Sequence, residues 1–114
     1  MVTTGIAGVG LVNAEAAQAS GCTIPPCGAV NNLSDRSVQV RWSNNNNGWT
    51  YAWVDPGRTI GGYFNDKRDV DYWNVPSGCT GYWTGQGDDW QHKVGAGWQK
   101  LRSDQTVDVV AITC

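Results

Sequence analysis

Short stretches in which apolar and polar residues alternate recur along the chain after Cys27. Residues 38–42 alternate Val and Trp with polar positions, and residues 49–54 alternate large aromatic side chains with small or β-branched ones. A period of two is typical of a strand that is buried on one face only. The longest such run, residues 106–113, is rich in Val and Ile. These three stretches are predicted to be strands.

Residues that favour turns separate the predicted strands. Residues 43–48 include four consecutive Asn, and Asp55-Pro56-Gly57 follows the second strand, a combination typical of a tight turn. No segment after Cys27 repeats its apolar residues at the helical period. The sequence therefore predicts an all-β fold, a small antiparallel sandwich or barrel. Its further strands are expected at residues 59–64, 70–75, 79–84, 90–94 and 98–101.

The first residues have a different composition from the rest. An apolar stretch at residues 5–12 precedes the small-residue run Ala17-Gln18-Ala19, which is typical of a signal peptide cleaved after Ala19. We predict a signal peptide at residues 1–19 and a single secreted domain at residues 20–114. Residues 1–4 contain no Lys or Arg, whereas a signal peptide usually begins with positive charge. An amphipathic helix or an arm of the mature protein is the alternative.

All four cysteines follow the predicted cleavage site. An even number of cysteines in a short exported chain predicts disulfides. Long loops remove more entropy from the unfolded chain, about 4 kcal/mol per bridge, and the stiff Pro25-Pro26 pair disfavours a bridge across it. We therefore predict that the first two cysteines pair with the last two. A zinc site would need closer spacing between paired ligands. The cysteines are Cys22, Cys27, Cys79 and Cys114.

The charge of the chain argues against two classes of partner. Eight Lys and Arg against ten Asp and Glu give a net charge of −2, with the two signs interspersed. Proteins that bind nucleic acid carry a basic patch, and binding to anionic membranes needs a polybasic segment. We expect neither a nucleic acid nor a membrane as partner.

Seven Trp in 114 residues are the most unusual feature of the composition. Trp42, Trp53 and Trp73 lie inside strand patterns and are predicted to be in the interior. The remaining four flank loops or glycines, where exposure is expected, and several exposed aromatic residues indicate a contact surface. Arg58 or Arg68 would serve as a polar anchor there. The predicted contact residues are Trp49, Tyr51, Tyr82, Trp83, Trp90 and Trp98.

Catalytic motifs are not apparent. The single His92 lies in a predicted strand without a nucleophile elbow, and the absence of Glu after residue 19 excludes a Glu–His–Arg ribonuclease. An enzyme would need His92 close to a carboxylate such as Asp88 or Asp89 in a buried pocket. We expect no enzyme activity and no cofactor.

Asp66, Asp69 and Asp71 could contribute oxygen ligands to a calcium site, since hard cations need several such ligands close together. Asp in turns more commonly accepts hydrogen bonds from nearby backbone N–H groups. The spacing matches no EF-hand loop. We therefore favour the backbone role and expect no metal.

Residues 37–57 resemble part of the tendamistat-type α-amylase inhibitors of actinobacteria. The resemblance lies in the strand that ends Arg41-Trp42, the loop, Tyr51, and the turn Pro56-Gly57. It implies a small secreted β-sandwich with two disulfides that acts as an inhibitor. The family's inhibitory Trp-Arg-Tyr tripeptide is absent and the cysteine spacing differs, so amylase inhibition does not carry over.

A second resemblance is to bacterial cellulose-binding modules. These are β-sandwiches of similar length, with cysteines near both ends and surface Trp residues that stack on sugar rings. It implies that Trp49, Trp83, Trp90 and Trp98 would line a carbohydrate site.

Together these features predict a secreted, non-catalytic protein that binds an extracellular protein partner. It would act as a hydrolase inhibitor or as a small adaptor subunit of an antimicrobial or toxin assembly. A lectin-like carbohydrate-binding module is the alternative. Three coplanar rings on one sheet face would favour carbohydrate, whereas aromatics clustered around the loop at residues 44–48 would favour protein.

Overall fold

Two β-sheets form the protein in its computed structural model. The structure describes residues 22, 27–44, 47–66, 68–86, 90–102 and 105–114. These residues contain nine strands and no helix, which confirms the predicted all-β class. The strands are β1 (Ala29–Asn32), β2 (Val38–Ser43), β3 (Trp49–Val54), β4 (Thr59–Gly61), β5 (Tyr72–Val75), β6 (Thr80–Gly85), β7 (His92–Val94), β8 (Gly97–Lys100) and β9 (Thr106–Thr113).

One sheet has five strands in the order β4-β1-β9-β6-β7, and the other has four in the order β3-β2-β5-β8. All neighbouring strands are antiparallel except β1 and β9, which are parallel. The antiparallel prediction is therefore correct for every pair but this one. The chain passes repeatedly between the sheets, and their inner faces enclose the core.

The core consists mainly of Val side chains around one buried indole. Alternate residues of each strand point inward, as the sequence pattern predicts, so Val38, Val40 and Trp42 are buried together. Trp73 is the largest fully buried side chain. Gly81 in the facing sheet makes room for it, since a Cβ there would lie 3.0 Å from the Trp73 ring and 2.7 Å from Val75.

β1 was not predicted, because Asn31 and Asn32 are residue types depleted in strands. Asn32 is completely buried, and its side chain joins the two sheets. Its Nδ2 donates to the carbonyls of Val54 at 2.8 Å and Arg36 at 2.7 Å. Its Oδ1 accepts from the backbone N–H of Ser34 at 2.9 Å and from its hydroxyl at 2.6 Å. These hydrogen bonds replace those that the amide would make to water, and they offset the cost of burying it.

The disulfides join Cys22 to Cys27 and Cys79 to Cys114, so the favoured long-range pairing of Cys22 and Cys27 was wrong. Ala29 is level with Thr106 in the parallel pair, which places Cys27 beside the start of β9. Thr113 pairs with Thr80, which places Cys114 beside Cys79 at the other end. β9 has eight residues, roughly 26 Å, and a disulfide cannot bridge that length.

Two of the three Trp residues predicted to be interior are buried, Trp42 at 4 % and Trp73 at 1 % exposure. Trp53 is 62 % exposed, so that prediction was wrong. Trp53 pairs with Gln39, and both point away from the core. The physical reason is the strand alternation itself, which gives the inner positions of β3 to Thr50, Ala52 and Val54. The predicted signal peptide at residues 1–19 lies outside the described residues.

Candidate functional site

Aromatic side chains cover the outer face of the four-stranded sheet. Residues paired directly across neighbouring strands point to the same side, and the register aligns Arg41 with Tyr51 and with Tyr72. It also aligns Asn74 with Trp98. We call this surface the aromatic face. It comprises Arg41, Trp49, Tyr51, Trp53, Tyr72, Trp98 and Lys100.

Arg41 lies at the centre of the aromatic face. Its guanidinium carbon is 4.2 Å from the ring centroid of Trp49, 4.5 Å from that of Tyr72 and 4.3 Å from that of Trp98. These distances are within cation–π range. Its Nε is buried and has no hydrogen-bond partner among the described residues. The planar cation is therefore held by ring faces, an environment that suits Arg better than Lys.

β3 carries the most exposed part of the aromatic face. Trp49, Tyr51 and Trp53 are 38 %, 51 % and 62 % exposed, and they occupy alternate positions. Alternate residues of a strand lie about 7 Å apart, so the three side chains form a row along the edge of the sheet. A regular strand, and not a loop, therefore positions these three exposed rings.

The rings of the aromatic face are inclined to each other where they touch. Trp49 meets Tyr72 edge to face, with centroids 5.4 Å apart and planes at 87°. Tyr51 and Trp98 are 5.9 Å apart with planes at 52°. Neither of these pairs is coplanar. The criterion of three coplanar rings that would favour carbohydrate is therefore not met by these two contacts.

The aromatic face carries positive charge. Arg41 is half-buried, and the exposed Lys100 places its Nζ 5.1 Å from the Tyr72 ring. The outward positions of β2, β3, β5 and β8 contain no carboxylate. The carboxylate of Asp71 accepts the backbone N–H of Ser43 at 2.8 Å, beside the face. This surface thus combines apolar area with two cations.

Three of the predicted contact residues, Trp49, Tyr51 and Trp98, come together on the aromatic face. Tyr82 lies on the opposite side of the molecule, where it pairs with Lys93 on the outer face of the five-stranded sheet. Trp83 points inward, packs against the core and stacks on His92 with centroids 4.3 Å apart. The predicted residues are therefore divided between two sheets.

The other predicted contact residues lie in connections between strands. Trp90 is 70 % exposed just before β7. Arg58 is exposed in the turn after β3, where its backbone N–H donates to the backbone carbonyl of Asp55 at 3.0 Å. Arg68 is half-buried, with its guanidinium 5.3 Å from the Trp42 ring and 3.7 Å from Asp66. None of the three belongs to the aromatic face.

Sequence reasoning missed Arg41, Trp53 and Tyr72. The signal for Trp53 was present, because residues 49, 51 and 53 share one parity within a single strand and must point to the same side. Arg41 was detectable in the same way, since it occupies an outward position between the buried Val40 and Trp42. Tyr72 could be found only from the pairing of β5 with β2.

The carboxylates that were candidates for a metal site bind backbone N–H groups in different parts of the structure. Asp66 accepts the N–H of Gly61 at 3.1 Å and that of Arg68 at 3.0 Å, while Asp69 accepts the N–H of Gly28 at 2.8 Å. No group of three His, Cys, Asp or Glu suited to a metal ion occurs in the described part of the chain. Asp88 and Asp89, the proposed partners of His92, lie outside it.

An open cleft of about 380 Å³ lies beside β4. Its walls include Tyr63 and Phe64, which touch edge to face at 5.0 Å, and the polar residues Asn65 and Gln86. Phe64 is 90 % exposed. The described residues that line the cleft include no cluster of titratable groups.

No family model, curated protein or solved structure matches this chain. The resemblance to tendamistat-type inhibitors therefore stays a prediction. The two disulfides indicate an oxidising environment. Within the described ranges no helix has the length and apolarity needed to cross a membrane.

Proposed function

We propose that this protein is a secreted, non-catalytic binding protein whose aromatic face contacts an extracellular protein partner. It would act as a hydrolase inhibitor or as a small adaptor subunit of an antimicrobial or toxin assembly. The observation that carries the proposal is the exposed row Trp49, Tyr51 and Trp53 beside the stacked Arg41. Trp, Tyr and Arg are the residues that dominate binding energy at protein interfaces.

The rigidity of the aromatic face supports the proposal. Its residues come from regular strands, and Arg41 holds three of the rings in contact with one guanidinium. Side chains that are ordered before binding lose less entropy on binding, which raises affinity for a given contact area. The cations Arg41 and Lys100 favour a partner surface that bears carboxylates.

The test is capture of a partner from culture supernatant by the immobilised protein, followed by titration of the purified partner. We expect Trp53→Ala and Arg41→Ala each to weaken binding about tenfold or more. Phe64→Ala is the matched control, because Phe64 is exposed and aromatic but lies outside the aromatic face. Equal affinities for wild type, Trp53→Ala and Arg41→Ala would contradict the proposal.

Carbohydrate recognition is the second candidate. The observation in its favour is the alternate spacing of Trp49, Tyr51 and Trp53 on one sheet face, since aromatic faces can stack on sugar rings. A sedimentation assay with insoluble polysaccharides distinguishes the two candidates. Recovery of the protein with a polysaccharide, lost in Trp53→Ala and retained in Phe64→Ala, would favour carbohydrate over a protein partner.

A further inference from the structure

We propose that the free edge of β3 pairs antiparallel with β3 of a second copy of this chain, forming a two-fold dimer with Tyr51 at its centre. β3 is an outer strand of the four-stranded sheet, and among the described strands its one partner is β2. An exposed, regular and uncharged edge strand is a template for pairing with another strand. This inference concerns the edge of the sheet and does not depend on the proposed function.

Three of the four sheet edges carry features that discourage pairing. β4 has three residues and ends at Gly61, whose φ is 97°. β7 also has three residues and includes the exposed Lys93. β8 begins at Gly97, whose φ is 121°, and ends at the exposed Lys100. Short strands, Lys and irregular backbone are common ways of blocking an edge.

β3 has none of these features. Its six residues include no charged residue, no Pro and no Gly. All six pair with β2 in one unbroken register, from Ser43 with Trp49 to Val38 with Val54. Its edge is therefore as straight and regular as the ladder that it makes with β2.

The backbone groups that face this edge follow from two bonds on the far side of β2. Asp71 donates its N–H to the carbonyl of Arg41 at 3.0 Å, and Ser43 donates its N–H to the Asp71 carboxylate at 2.8 Å. The backbone groups of Arg41 and Ser43 therefore point toward β5. Residues alternate in direction along a strand, so Trp42 and Val40 bond to β3.

The partners of Trp42 and Val40 in β3 are Thr50 and Ala52. Because direction alternates in β3 as well, Trp49, Tyr51 and Trp53 point their N–H and C=O groups at the free edge. The described residues give these groups no hydrogen bond on that side. Three donors and three acceptors are therefore directed outward together.

A second copy satisfies this edge better than an arbitrary strand, because the sequence is self-complementary about Tyr51. With Tyr51 opposite Tyr51 of the second copy, Trp49 lies opposite Trp53 in both halves. Every outward N–H and C=O of these residues then finds a partner, and cross-strand aromatic pairs form on the outer face. No charged side chain of either β3 opposes another.

The pairing closes on itself. A two-fold axis uses the same edge in both copies, so the joined sheet has eight strands and ends at β8 on both sides. Those ends carry Gly97 and Lys100, which discourage further growth. The two aromatic faces then lie on the same side of one continuous sheet.

The first test is the solution mass of the purified protein, measured by sedimentation or light scattering without any ligand. We expect twice the mass of one chain, falling to the mass of one chain in Tyr51→Lys, because two ammonium groups would then lie directly opposite. Phe64→Lys is the control and should keep the doubled mass. A single-chain mass for the wild type at every concentration would overturn the proposal and leave the edge to an extended segment of another protein.

The second test fixes the register by disulfide trapping and does not require the lysine variant to fold. Opposite residues of a hydrogen-bonded antiparallel pair have Cα atoms about 5.5 Å apart, within disulfide range. We expect Tyr51→Cys to cross-link with itself, Trp53→Cys alone to stay uncross-linked, and a mixture of Trp49→Cys and Trp53→Cys to cross-link. Trapping of Trp53→Cys with itself as efficiently as Tyr51→Cys would exclude this register.

Discussion

The outer faces of the two sheets differ in chemistry: one carries hydrogen-bonded polar side chains and the other carries aromatic rings. On the five-stranded sheet the hydroxyl of Thr59 donates to Asn31 at 2.9 Å, and Asn31 donates to Asp108 at 3.4 Å. These side chains form a polar row across β4, β1 and β9. On the four-stranded sheet the equivalent positions carry the aromatic face around Arg41.

The difference shows where binding energy is available. The polar row presents hydrogen-bonding groups, so a partner that covered it would exchange their bonds to water for bonds to the partner, with little net gain. The aromatic face leaves apolar ring area in solvent, and covering that area is favourable at about 25 cal/mol per Å². This contrast supports the proposal that a partner binds the aromatic face.

The largest expected difference in stability is between a Trp on the inner side of the four-stranded sheet and a Trp on its outer side. Trp73→Ala removes the central indole of the core, and we expect a loss of about 3–5 kcal/mol in the free energy of unfolding. Trp53→Ala removes the same side chain from the exposed surface and should change stability by about 0.5 kcal/mol or less. Urea denaturation of both variants measures the contrast. Similar losses would mean that Trp53 is packed as firmly as Trp73.

The next effect concerns the bridges. Cys79 and Cys114 are separated by 35 residues, and replacing both by Ala should cost about 4 kcal/mol by the loop-entropy relation. Cys22 and Cys27 are separated by 5 residues, and replacing both should cost about 2 kcal/mol. Thermal unfolding of the two double variants gives the order. A larger loss of stability on replacing Cys22 and Cys27 would show that this disulfide stabilises structure beyond the loop that it closes.

A smaller effect tests the centre of the aromatic face. Arg41→Ala removes the cation from three ring faces and should lower stability by about 1–2 kcal/mol. Arg41→Lys should recover only part of the loss, because an ammonium lacks the planar surface that stacks on rings. Near-ultraviolet circular dichroism, which reports on Trp and Tyr packing, should change in both variants. An unchanged spectrum in Arg41→Ala would show that the rings do not depend on the cation.

The smallest effect is expected on the polar row. Asp108→Asn keeps an acceptor for Asn31 and should alter stability by about 0.5 kcal/mol or less. Binding of the captured partner should stay at the wild-type affinity, in contrast to Arg41→Ala. A loss of binding in Asp108→Asn would place the contact surface on the five-stranded sheet and reverse the comparison.

Much of the fold followed from alternation and turn residues. β2 and β9 coincide closely with the predicted stretches because their inward positions are Val, Ile or Trp, and β3 does so because its aromatic residues alternate with Thr, Ala and Val. β1 was missed because its polar Asn32 is buried through hydrogen bonds that only the assembled sheets supply. The residues next to Asn32 in the sequence do not indicate that Val54, 22 residues away, would accept its hydrogen bond.

The aromatic face was only partly predictable. Trp49 was predicted to be exposed because it flanks a loop, yet the stronger reason is that it shares a strand parity with Tyr51 and Trp53. Trp53 was predicted to be interior because it lies within a strand, although its parity with Trp49 and Tyr51 indicates the outer face. The neighbours Tyr72 and Trp98 reach Arg41 through the β2–β5–β8 pairing, which depends on the order of strands and not on spacing along the chain.

The burial of Asn32 has a consequence for how the protein is made. Asn32-Leu33-Ser34 matches the acceptor sequence for N-glycosylation. A glycan on Asn32 cannot coexist with a side chain that is 0 % exposed and bonded to Val54 and Arg36. Mutating the acceptor sequence would also disturb the structure. Replacing Ser34 would remove its hydroxyl bond to Asn32. Leu33→Pro would remove the backbone N–H that donates to the carbonyl of Val109. Expression in a host without N-glycosylation therefore protects the junction between the two sheets.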